Sequence, residues 1–521
     1  MLDAKKVILT LADNTTNTIT DSSRLSTEED YSAAIYSKED LIINGNGTLN
    51  VNAGYRNGIK STDDCIIVSG TLNITSTEDG IIGKDLCGVV AGDININAGS
   101  DGIKSTYDTD TTKGNVIIEG GNITIKASND GIQAENILVI NDGAINIKTN
   151  NGAADTTQTH IDNMDMGRGG FGFNNNKTTT TTDDTSESRK GIKAGNMLII
   201  NDGDITIDSD DDSVHCNSVI YIYGGTINAA TGDDGVHADD LLTVNGGTIN
   251  ITQCYEGIEA DDIVINDGDI SVVSSDDGIN SSDGSITING GNLLINASGD
   301  GLDANGSIII NGGYIVVLGP TSDGDTAIDY DDSCTINGGT VMAFGSSGML
   351  EIPKGASNGA CIVTAFTSVS GGSKYTLSDS NGNEILSYTP SKAYAAAIVY
   401  SDKITTGNTY DITAGSTTLS IEVTSDVTSN VSSGLGKAGG MNMPGNGGSG
   451  MPNNGSSDNG MNGNSNGSMP DMSGNGAPDM NGNSSGDMPS MGGNSSNNGG
   501  NMPNMNNGSS NGSAPQMNNR M

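Results

Sequence analysis

Tryptophan is absent from this 521-residue chain, and aromatic residues of all kinds make up only 3% of it. A large globular core packed around aromatic rings is therefore excluded, and a core has to come from stacked Ile, Val and Leu. Basic residues are also scarce, because 22 Lys and Arg stand against 64 Asp and Glu, which gives a formal net charge of −42. This charge opposes binding to nucleic acid or to an anionic membrane and makes cations the natural partners.

Long apolar runs are missing as well. No segment approaches the roughly 18 consecutive apolar residues of a membrane-spanning helix, so no membrane span is predicted. Near the start of the sequence only Val7–Leu9 form an apolar run, which is far shorter than the roughly 7–15 apolar residues of a secretory signal peptide. The sequence therefore predicts neither a membrane anchor nor a signal peptide of its own.

The dominant feature of the chain is an internal repeat of 21 to 23 residues. From Asp234 it reads DGVHADDLLTVNGGTINITQCY, and from Asp300 it reads DGLDANGSIIINGGYIVVLG. Each repeat holds three short runs of β-branched residues that end at Gly, Asn or Asp, the pattern of strands separated by turns. Repeats of this length bury a continuous core by stacking. The sequence therefore predicts an all-β chain that forms a right-handed parallel β-helix, with three sheets and roughly a dozen coils of about 22 residues.

Changes in the repeat divide the chain into segments. The parallel β-helix is predicted to occupy residues 1–345, with a Thr-rich polar insertion at 153–188 that loops out between coils. Residues 346–431 lose the repeat and alternate like hairpin strands, which predicts a β-rich cap over the open end of the helix. Residues 432–521 consist mainly of Gly, Asn, Ser, Met and Pro, a composition typical of a disordered tail.

The motif D-G-I-x-A followed by I-x-I-N-G-G-x-I-x-I, together with the segments Ala33–Lys38, Asp101–Ser105 and Tyr394–Ser401, resembles a known family. This is the clostridial carbohydrate-binding β-helix family, which is similar in fold to pectate lyases, and the resemblance covers roughly residues 7–415 without the insertion. It implies secretion, calcium in the turns and non-catalytic binding of cellulose-like or pectin-like polysaccharide. Members carry a signal peptide and further strands before the segment that matches Lys6–Leu11, so this chain is expected to be truncated at its N-terminus.

Acidic residues recur at two places in each coil. Equivalent strands of successive coils lie about 4.8 Å apart, and neighbouring carboxylates at this spacing repel by about 3 kcal/mol at an effective dielectric of about 20. Calcium prefers about six to eight oxygen ligands and would relieve the repulsion, whereas the alternative is that Asp simply suits solvated turns. The predicted calcium ligands are Asp233, Asp234, Asp239, Asp240, Glu256, Asp261, Asp262, Asp276, Asp277, Asp283 and Asp300.

A second row consists of the residue that follows each Gly-Ile pair and faces outward from the buried Ile. These side chains could donate and accept hydrogen bonds along a sugar chain, although outward positions are polar in any β-helix. His215 and His237 are adjacent in this row and could instead bind a transition metal, for which no third His or Cys is near. The predicted carbohydrate-binding residues are Lys60, Lys104, Lys193, His215, His237, Glu259, Asn280 and Asp303.

Asparagine and cysteine also recur at fixed coil positions. The Asn residues before Gly-Gly or Asp-Gly are predicted to stack as an amide ladder; they are Asn201, Asn245, Asn266, Asn289, Asn311 and Asn337. Cys65 and Cys87 occupy the same position of successive coils, so their spacing allows a disulfide. The other cysteines are predicted to pack as small apolar residues; they are Cys216, Cys254, Cys334 and Cys361.

No catalytic residue is predicted. A polyuronate lyase would need a base beside a calcium-bound substrate, and nothing in the sequence ranks Lys60, Lys104 or Lys193 for that role. With the extracellular location that the resemblance implies, we predict a monomeric protein that binds polysaccharide with the help of calcium, and keep a lyase and a structural or adhesive surface protein as alternatives. Without tryptophan, stacking on sugar rings would fall to tyrosines, namely Tyr36, Tyr107, Tyr221 and Tyr223.

Overall fold

The computed structural model describes residues 4–22, 31–154 and 188–431. Apart from a single 3-10 turn at Gly152–Ala154, the regular elements in these ranges are all strands. They wind into a β-solenoid of about 13 coils with parallel sheets, as the repeat predicts. Most of the predicted insertion and the whole predicted tail lie outside the described residues. No helix in the described ranges is long and apolar enough to cross a membrane.

Each coil contributes strands to three stacks, which we number in the order that the chain meets them after the Asp-Gly turn. The first stack contains Ala33–Ser37, Asn57–Ser61, Ile81–Gly83, Ile103–Lys104, Ile132–Ala134, Ile192–Ala194, Val214–Cys216, the beginnings of Val236–Val244 and Ile258–Ile265, Ile279–Ser281, Leu302–Ala304 and Ile328–Tyr330. The second stack contains Lys6–Leu11, Asp40–Gly45, Cys65–Ile67, Leu86–Val89, Asn115–Ile118, Ile137–Ile140, Met197–Ile200, Val219–Ile222, the ends of Val236–Val244 and Ile258–Ile265, Ile286–Ile288, Ser307–Ile310, Ser333–Ile336 and Gly355–Ala356. The third stack contains Thr16–Asp21, Thr48–Ala53, Thr71–Ser76, Asp93–Ala98, Asn122–Ala127, Ala144–Thr149, Asp204–Ser209, Thr226–Thr231, Thr248–Cys254, Asp269–Ser274, Asn292–Asn296, Tyr314–Leu318 and Thr340–Gly345.

The three stacks form two hydrogen-bonded sheets rather than three. Val236–Val244 and Ile258–Ile265 run through the corner between the first and second stacks without a break, which joins those stacks into one 24-stranded sheet. A register shift between Ala238 and Leu241 absorbs the bend. The third stack belongs to a separate 16-stranded sheet.

The core is a set of aliphatic ladders that run along the solenoid axis. In the third stack Ile94 pairs with Ile123 and Ile123 with Ile145, and all three are completely buried. The glycine of each Asp-Gly turn allows the coils to approach this closely, because a Cβ on Gly102 would lie 2.5 Å from the carbonyl oxygen of Gly131 in the next coil. The Asp-Gly-Ile motif thus sets the spacing of the coils.

The parallel order of the third stack ends at Thr340–Gly345. Tyr394–Ser401 pairs antiparallel with that strand and with Ala360–Val369, which in turn pairs in parallel with Val427–Ser429. A four-stranded antiparallel sheet follows, made of Tyr375–Asp379, Glu384–Tyr388, Thr409–Ala414 and Thr417–Glu422. It packs on a second apolar core that includes Phe344, Tyr375 and Tyr394.

The six cysteines are buried free thiols. Cys65 and Cys87 are register partners, as their spacing predicts. The disulfide that this spacing allows is not formed, and burial raises the pKa of the Cys87 thiol to about 12.

Candidate functional site

The outward row predicted along the first stack is continuous from coil to coil. Its members pair in register over twelve positions; they are Tyr36, Lys60, Ile82, Lys104, Gln133, Lys193, His215, His237, Glu259, Asn280, Asp303 and Asp329. The polar row has one interruption, because Ile82 is buried between Lys60 and Lys104. The remaining positions of the row are partly exposed.

A second row lies directly beside it, at the turn position three residues earlier in each coil. We call this set the turn row; its members are Asn57, Asp79, Asp101, Asp130, Lys190, Asp212, Asp234, Glu256, Asp277, Asp300 and Thr326. The two rows were predicted as separate features, one for calcium and one for sugar. In the structure they form one surface, because turn side chains contact the side chain three residues later at Asp101, Asp212 and Asp234.

The Asp residues of the turn row use their two carboxylate oxygens differently. Oδ1 accepts the backbone N–H of the next coil, as in Asp130 N–H to Asp101 Oδ1 at 3.0 Å and Asp234 N–H to Asp212 Oδ1 at 3.0 Å. Asn57 Oδ1 does the same for the Asp79 N–H at 3.0 Å. One oxygen therefore joins adjacent coils, and an amide serves that purpose as well as a carboxylate.

In the first part of the row, the second carboxylate oxygen of Asp101 and of Asp212 contacts a basic side chain. Lys104 Nζ lies 2.5 Å from Asp101 Oδ2, and His215 Nδ1 lies 2.8 Å from Asp212 Oδ2. Lys190, which occupies a turn position itself, bonds the same Asp212 oxygen at 2.6 Å. The sequence reasoning missed Lys190, although Lys190-Gly191-Ile192 fits the Asp-Gly-Ile frame.

His237 marks the change from basic to acidic partners. Its Nδ1 lies 3.0 Å from Asp234 Oδ2 and 2.8 Å from Glu259 Oε2. Burial opposes protonation of this ring, but the hydrogen bonds to both carboxylates outweigh it and raise the pKa of His237 to about 12. The rings of His215 and His237 are 4.9 Å apart, and Asp212 completes a group of three potential metal ligands with them.

Beyond His237 the outward row contains no basic residue. Its last four positions are Glu259, Asn280, Asp303 and Asp329. Here one ligand oxygen from each of Asp277, Asp300 and Asp303 lies within 4.8 Å of the others. We call these three residues the acidic cluster.

Burial raises the pKa of several turn-row carboxyls, among them Asp101 to about 6 and Glu256 to about 8. Burial, together with the charges of Asp276 and Asp303, raises the pKa of Asp277 to about 8. Burial and the charges of Asp277 and Asp303 likewise raise the pKa of Asp300 to about 8. By contrast, although burial acts to raise the pKa of Asp212, the charge of Lys190 and the hydrogen bond to His215 together hold it well below its usual range. Basic side chains of the protein therefore neutralise turn carboxylates in the first part of the row. The last four positions of the outward row contain no basic side chain.

The structure brings together only part of the predicted calcium set. Asp277 and Asp300 meet in the acidic cluster, Asp234 meets His237 and Glu259, and Asp233 meets Asp211 and Asp212. The second acidic group has other contacts, since Ser218 Oγ donates to Asp240 at 2.7 Å and the Ser285 N–H donates to Asp262 at 2.9 Å. Within the described residues, no group of three potential ligands includes Asp239, Asp240, Glu256, Asp261, Asp262, Asp276 or Asp283.

One acidic group was not predicted. Asp40, Asp63 and Asp64 bring three ligand oxygens within 4.8 Å of one another. Burial, together with the charges of Asp40 and Asp63, raises the pKa of Asp64 to about 6. The consecutive Asp63-Asp64 pair was the available signal, but Asp40 lies outside the Asp-Gly frame that was used to align the coils.

The predicted amide ladder is present at the corner after the second stack. Nδ2 of Asn266, Asn289, Asn311 and Asn337 each donates to the preceding Asn at 2.8 to 3.0 Å. Asn201 likewise donates to Asn141 at 2.7 Å. Tyr223 occupies the position between Asn201 and Asn245 and interrupts the ladder.

Comparisons with known proteins bear on what these surfaces bind. A family model described as carbohydrate-binding domain-containing protein matches residues 1–235 and 233–422. A curated protein of Acetivibrio thermocellus with the same description is 39% identical over 75 residues, which cover 14% of this chain and 26% of that protein. The match thus spans about a quarter of the relative's length. No solved structure matches the chain significantly.

Proposed function

The chain belongs to the family of carbohydrate-binding domain-containing proteins, and we propose that it binds an extracellular polysaccharide without catalysis along the paired turn and outward rows, with calcium at the acidic cluster. The observation that carries this proposal is that the two oxygens of a turn carboxylate make different contacts. Because Oδ1 is engaged with the next coil, Oδ2 is left for the outward row, as at Asp101, Asp212 and Asp234. A repeating ligand meets a repeating set of polar groups at the strand spacing of about 4.8 Å.

Calcium fits the donor set of the acidic cluster. Asp277, Asp300 and Asp303 supply carboxylate oxygens, the ligand type that calcium prefers over nitrogen. Burial and the neighbouring acidic charges raise the pKa of Asp277 and of Asp300, so protonation is the alternative means of relieving the repulsion. A divalent cation would remove that repulsion and would present open coordination positions to a ligand.

The net charge of the protein indicates which class of polysaccharide would need calcium in order to bind. A polyuronate and a chain of net charge −42 repel each other, so a pectin-like polymer needs bridging cations. A cellulose-like polymer carries no charge and needs none. We therefore propose that calcium is required for polyuronate binding and matters less for a neutral glucan.

The experiment is a binding assay on both polymer classes. Purified protein is titrated with polygalacturonate and, separately, incubated with insoluble neutral β-glucan, each with calcium and with chelator. The proposal expects polyuronate binding to disappear with chelator and neutral-glucan binding to fall less. Equal binding of polygalacturonate in both conditions would contradict the role given to calcium, and binding to neither polymer would contradict carbohydrate binding by the rows.

A lyase remains a second candidate because of one observation. Burial lowers the pKa of Lys60, the direction a catalytic base requires, whereas contacts with Asp101 outweigh burial and raise the pKa of Lys104. Incubation with polygalacturonate and calcium, followed by the ultraviolet absorbance of unsaturated products, tests this reaction. Product formation that a Lys60→Ala variant abolishes would replace the binding proposal with a lyase.

A further inference from the structure

The outward face of the second stack has an unusual composition. Outward strand positions in a solvated sheet are usually polar, yet the central outward row of this stack runs from Ile8 to Ile309 mainly through aliphatic and aromatic side chains. Ile8 is 59% exposed. Neither the turn row nor the outward row of the first stack includes any of these residues.

Four consecutive coils concentrate this apolar character. The strands Ile137–Ile140, Met197–Ile200 and Val219–Ile222, and the last four residues of the strand Val236–Val244, contain no charged residue. Their central outward row includes Val139, Ile199 and Tyr221, and the neighbouring row consists of Ile137, Met197, Val219 and Leu241. All seven side chains are partly exposed. We call this surface the apolar face; contiguous exposed apolar patches of this kind mark interaction sites.

A tyrosine pair stands at the edge of the apolar face. Tyr221 and Tyr223 lie nearly parallel, with ring centroids 6.3 Å apart and an interplanar angle of 23°. Tyr223 is 50% exposed and takes the place of an Asn in the amide ladder. It therefore gives up an inter-coil hydrogen bond without gaining full burial, so its presence is not explained by stability of the fold.

Polar groups line the same edge. Asn141 and Asn201 precede Tyr223 in the ladder, and Asn245 follows it. A flat sugar ring presents C–H groups above and below its plane and hydroxyl groups around its equatorial rim. The apolar face and the adjoining amides present the matching pattern, with apolar contacts in the middle and hydrogen-bonding groups at the side.

We propose that the apolar face is a second carbohydrate-binding surface, specific for neutral polysaccharides with flat, equatorially substituted rings. This inference rests on the proposed carbohydrate binding but is independent of calcium and of the acidic cluster. The strand segments of this face carry no basic side chain that could pair with an anionic polymer. A second copy of the chain is a poorer occupant, because it would bring another net charge of −42 close to the first.

The test replaces the tyrosines with residues that the fold already accepts at equivalent positions. Tyr223→Asn fills the gap in the amide ladder, and Tyr221→Thr copies Thr243 of the next coil. The matched control is Tyr314→Asn, which removes another half-exposed tyrosine from the third stack and copies its register partner Asn292. The variants are compared with the unmodified protein by depletion on insoluble neutral β-glucan, with and without chelator, and by titration with polygalacturonate.

The double variant is expected to bind the neutral glucan about tenfold more weakly, with an unchanged melting temperature and unchanged polygalacturonate binding, while the control binds both normally. Retained glucan binding by the double variant would overturn the apolar face as the site while leaving carbohydrate binding intact. A change in oligomeric state in place of a change in glucan binding would identify the face as a self-association surface and overturn the inference. Failure of the unmodified protein to bind any polysaccharide would overturn both proposals.

Discussion

Calcium binding at the acidic cluster can be tested by replacing Asp300 with Asn. The amide retains an oxygen that can accept the inter-coil N–H, as Asn57 Oδ1 does for the Asp79 N–H at 3.0 Å, so the turn should persist. The substitution removes one carboxylate from the group that Asp277, Asp300 and Asp303 form. It also removes a buried carboxyl whose pKa is raised to about 8.

These two effects have opposite signs. Without calcium at about pH 8, the variant should be more stable than the unmodified protein, because a neutral amide replaces a carboxyl that resists ionisation. With calcium at about a hundredfold excess over its dissociation constant, the unmodified protein gains about 2.7 kcal/mol from one site, and the variant gains less. The order of stability of the two proteins should therefore reverse when calcium is added.

The same cluster predicts how calcium affinity depends on pH. Each carboxyl that must lose a proton weakens calcium binding by about tenfold per pH unit below its pKa. With Asp277 and Asp300 both near 8, affinity should fall by up to about a hundredfold per unit between pH 8 and pH 6. Titration calorimetry in buffers of different ionisation enthalpy measures both the affinity and the protons released.

The matched control is Asp267→Asn. Asp267 is exposed and accepts a hydrogen bond from the N–H of Gly268 in its own turn, so the substitution removes the same charge without altering the cluster. If the order of stability does not reverse, if affinity is the same at pH 6 and pH 8, or if the control loses as much affinity as Asp300→Asn, the acids are solvated turn residues and the calcium reasoning is wrong.

Three further predictions follow from other contacts. The pKa values of Asp277 and Asp300 are raised in the folded protein, so their favourable contribution to the free energy of unfolding is complete below about pH 4 and is lost as the pH rises towards 8. In chelator the melting temperature should therefore fall between pH 4 and pH 8. A melting temperature that does not change with pH would contradict the raised pKa values. Lys190→Met removes one of the two basic partners of the buried Asp212, the other being His215, and should cost up to about 3–5 kcal/mol in urea unfolding. Lys148→Met, which breaks a half-exposed pair with Asp208, should cost less than about 1 kcal/mol. Equal losses would refute the assignment of a buried pair. Asn289→Ala breaks the amide ladder between Asn266 and Asn311 and should lower the free energy of unfolding by about 1 kcal/mol in the same measurement. No loss would show that water replaces these two hydrogen bonds without cost.

The fold could be predicted from the sequence because one structural unit repeats in it. The Asp-Gly-Ile frame fixes a turn, a close approach of coils and a buried side chain, so aligning the repeats aligns the strands. The merging of the first two stacks could not be predicted, because it depends on whether Asp239-Asp240 and Asp261-Asp262 continue a strand or turn a corner. Asp favours turns and is a poor strand former, so the sequence indicates a corner, whereas pairing between the coils continues the strand.

The candidate site was predicted row by row, but not as one surface. Alignment placed Asp101 and Lys104 in different rows, and sequence spacing does not show that a turn side chain bends back towards the residue three positions later. The apolar face was not predicted, because the predicted outward row follows the Gly-Ile pairs and these lie in the first stack. Val139 and Ile199 belong to short aliphatic runs in which buried and exposed positions have the same composition.

The two oxygens of the turn carboxylate also bear on how such a protein can change over generations. The joint between coils that the turn carboxylate makes needs only an oxygen acceptor, which Asn57 provides without any charge, and Lys60 stands three residues later. An exchange between Asp and Asn at one coil therefore alters the local charge by one unit while the coil remains joined to its neighbour. Ligand preference can therefore change one coil at a time. Each exchange needs a single nucleotide substitution, and every intermediate sequence can still fold.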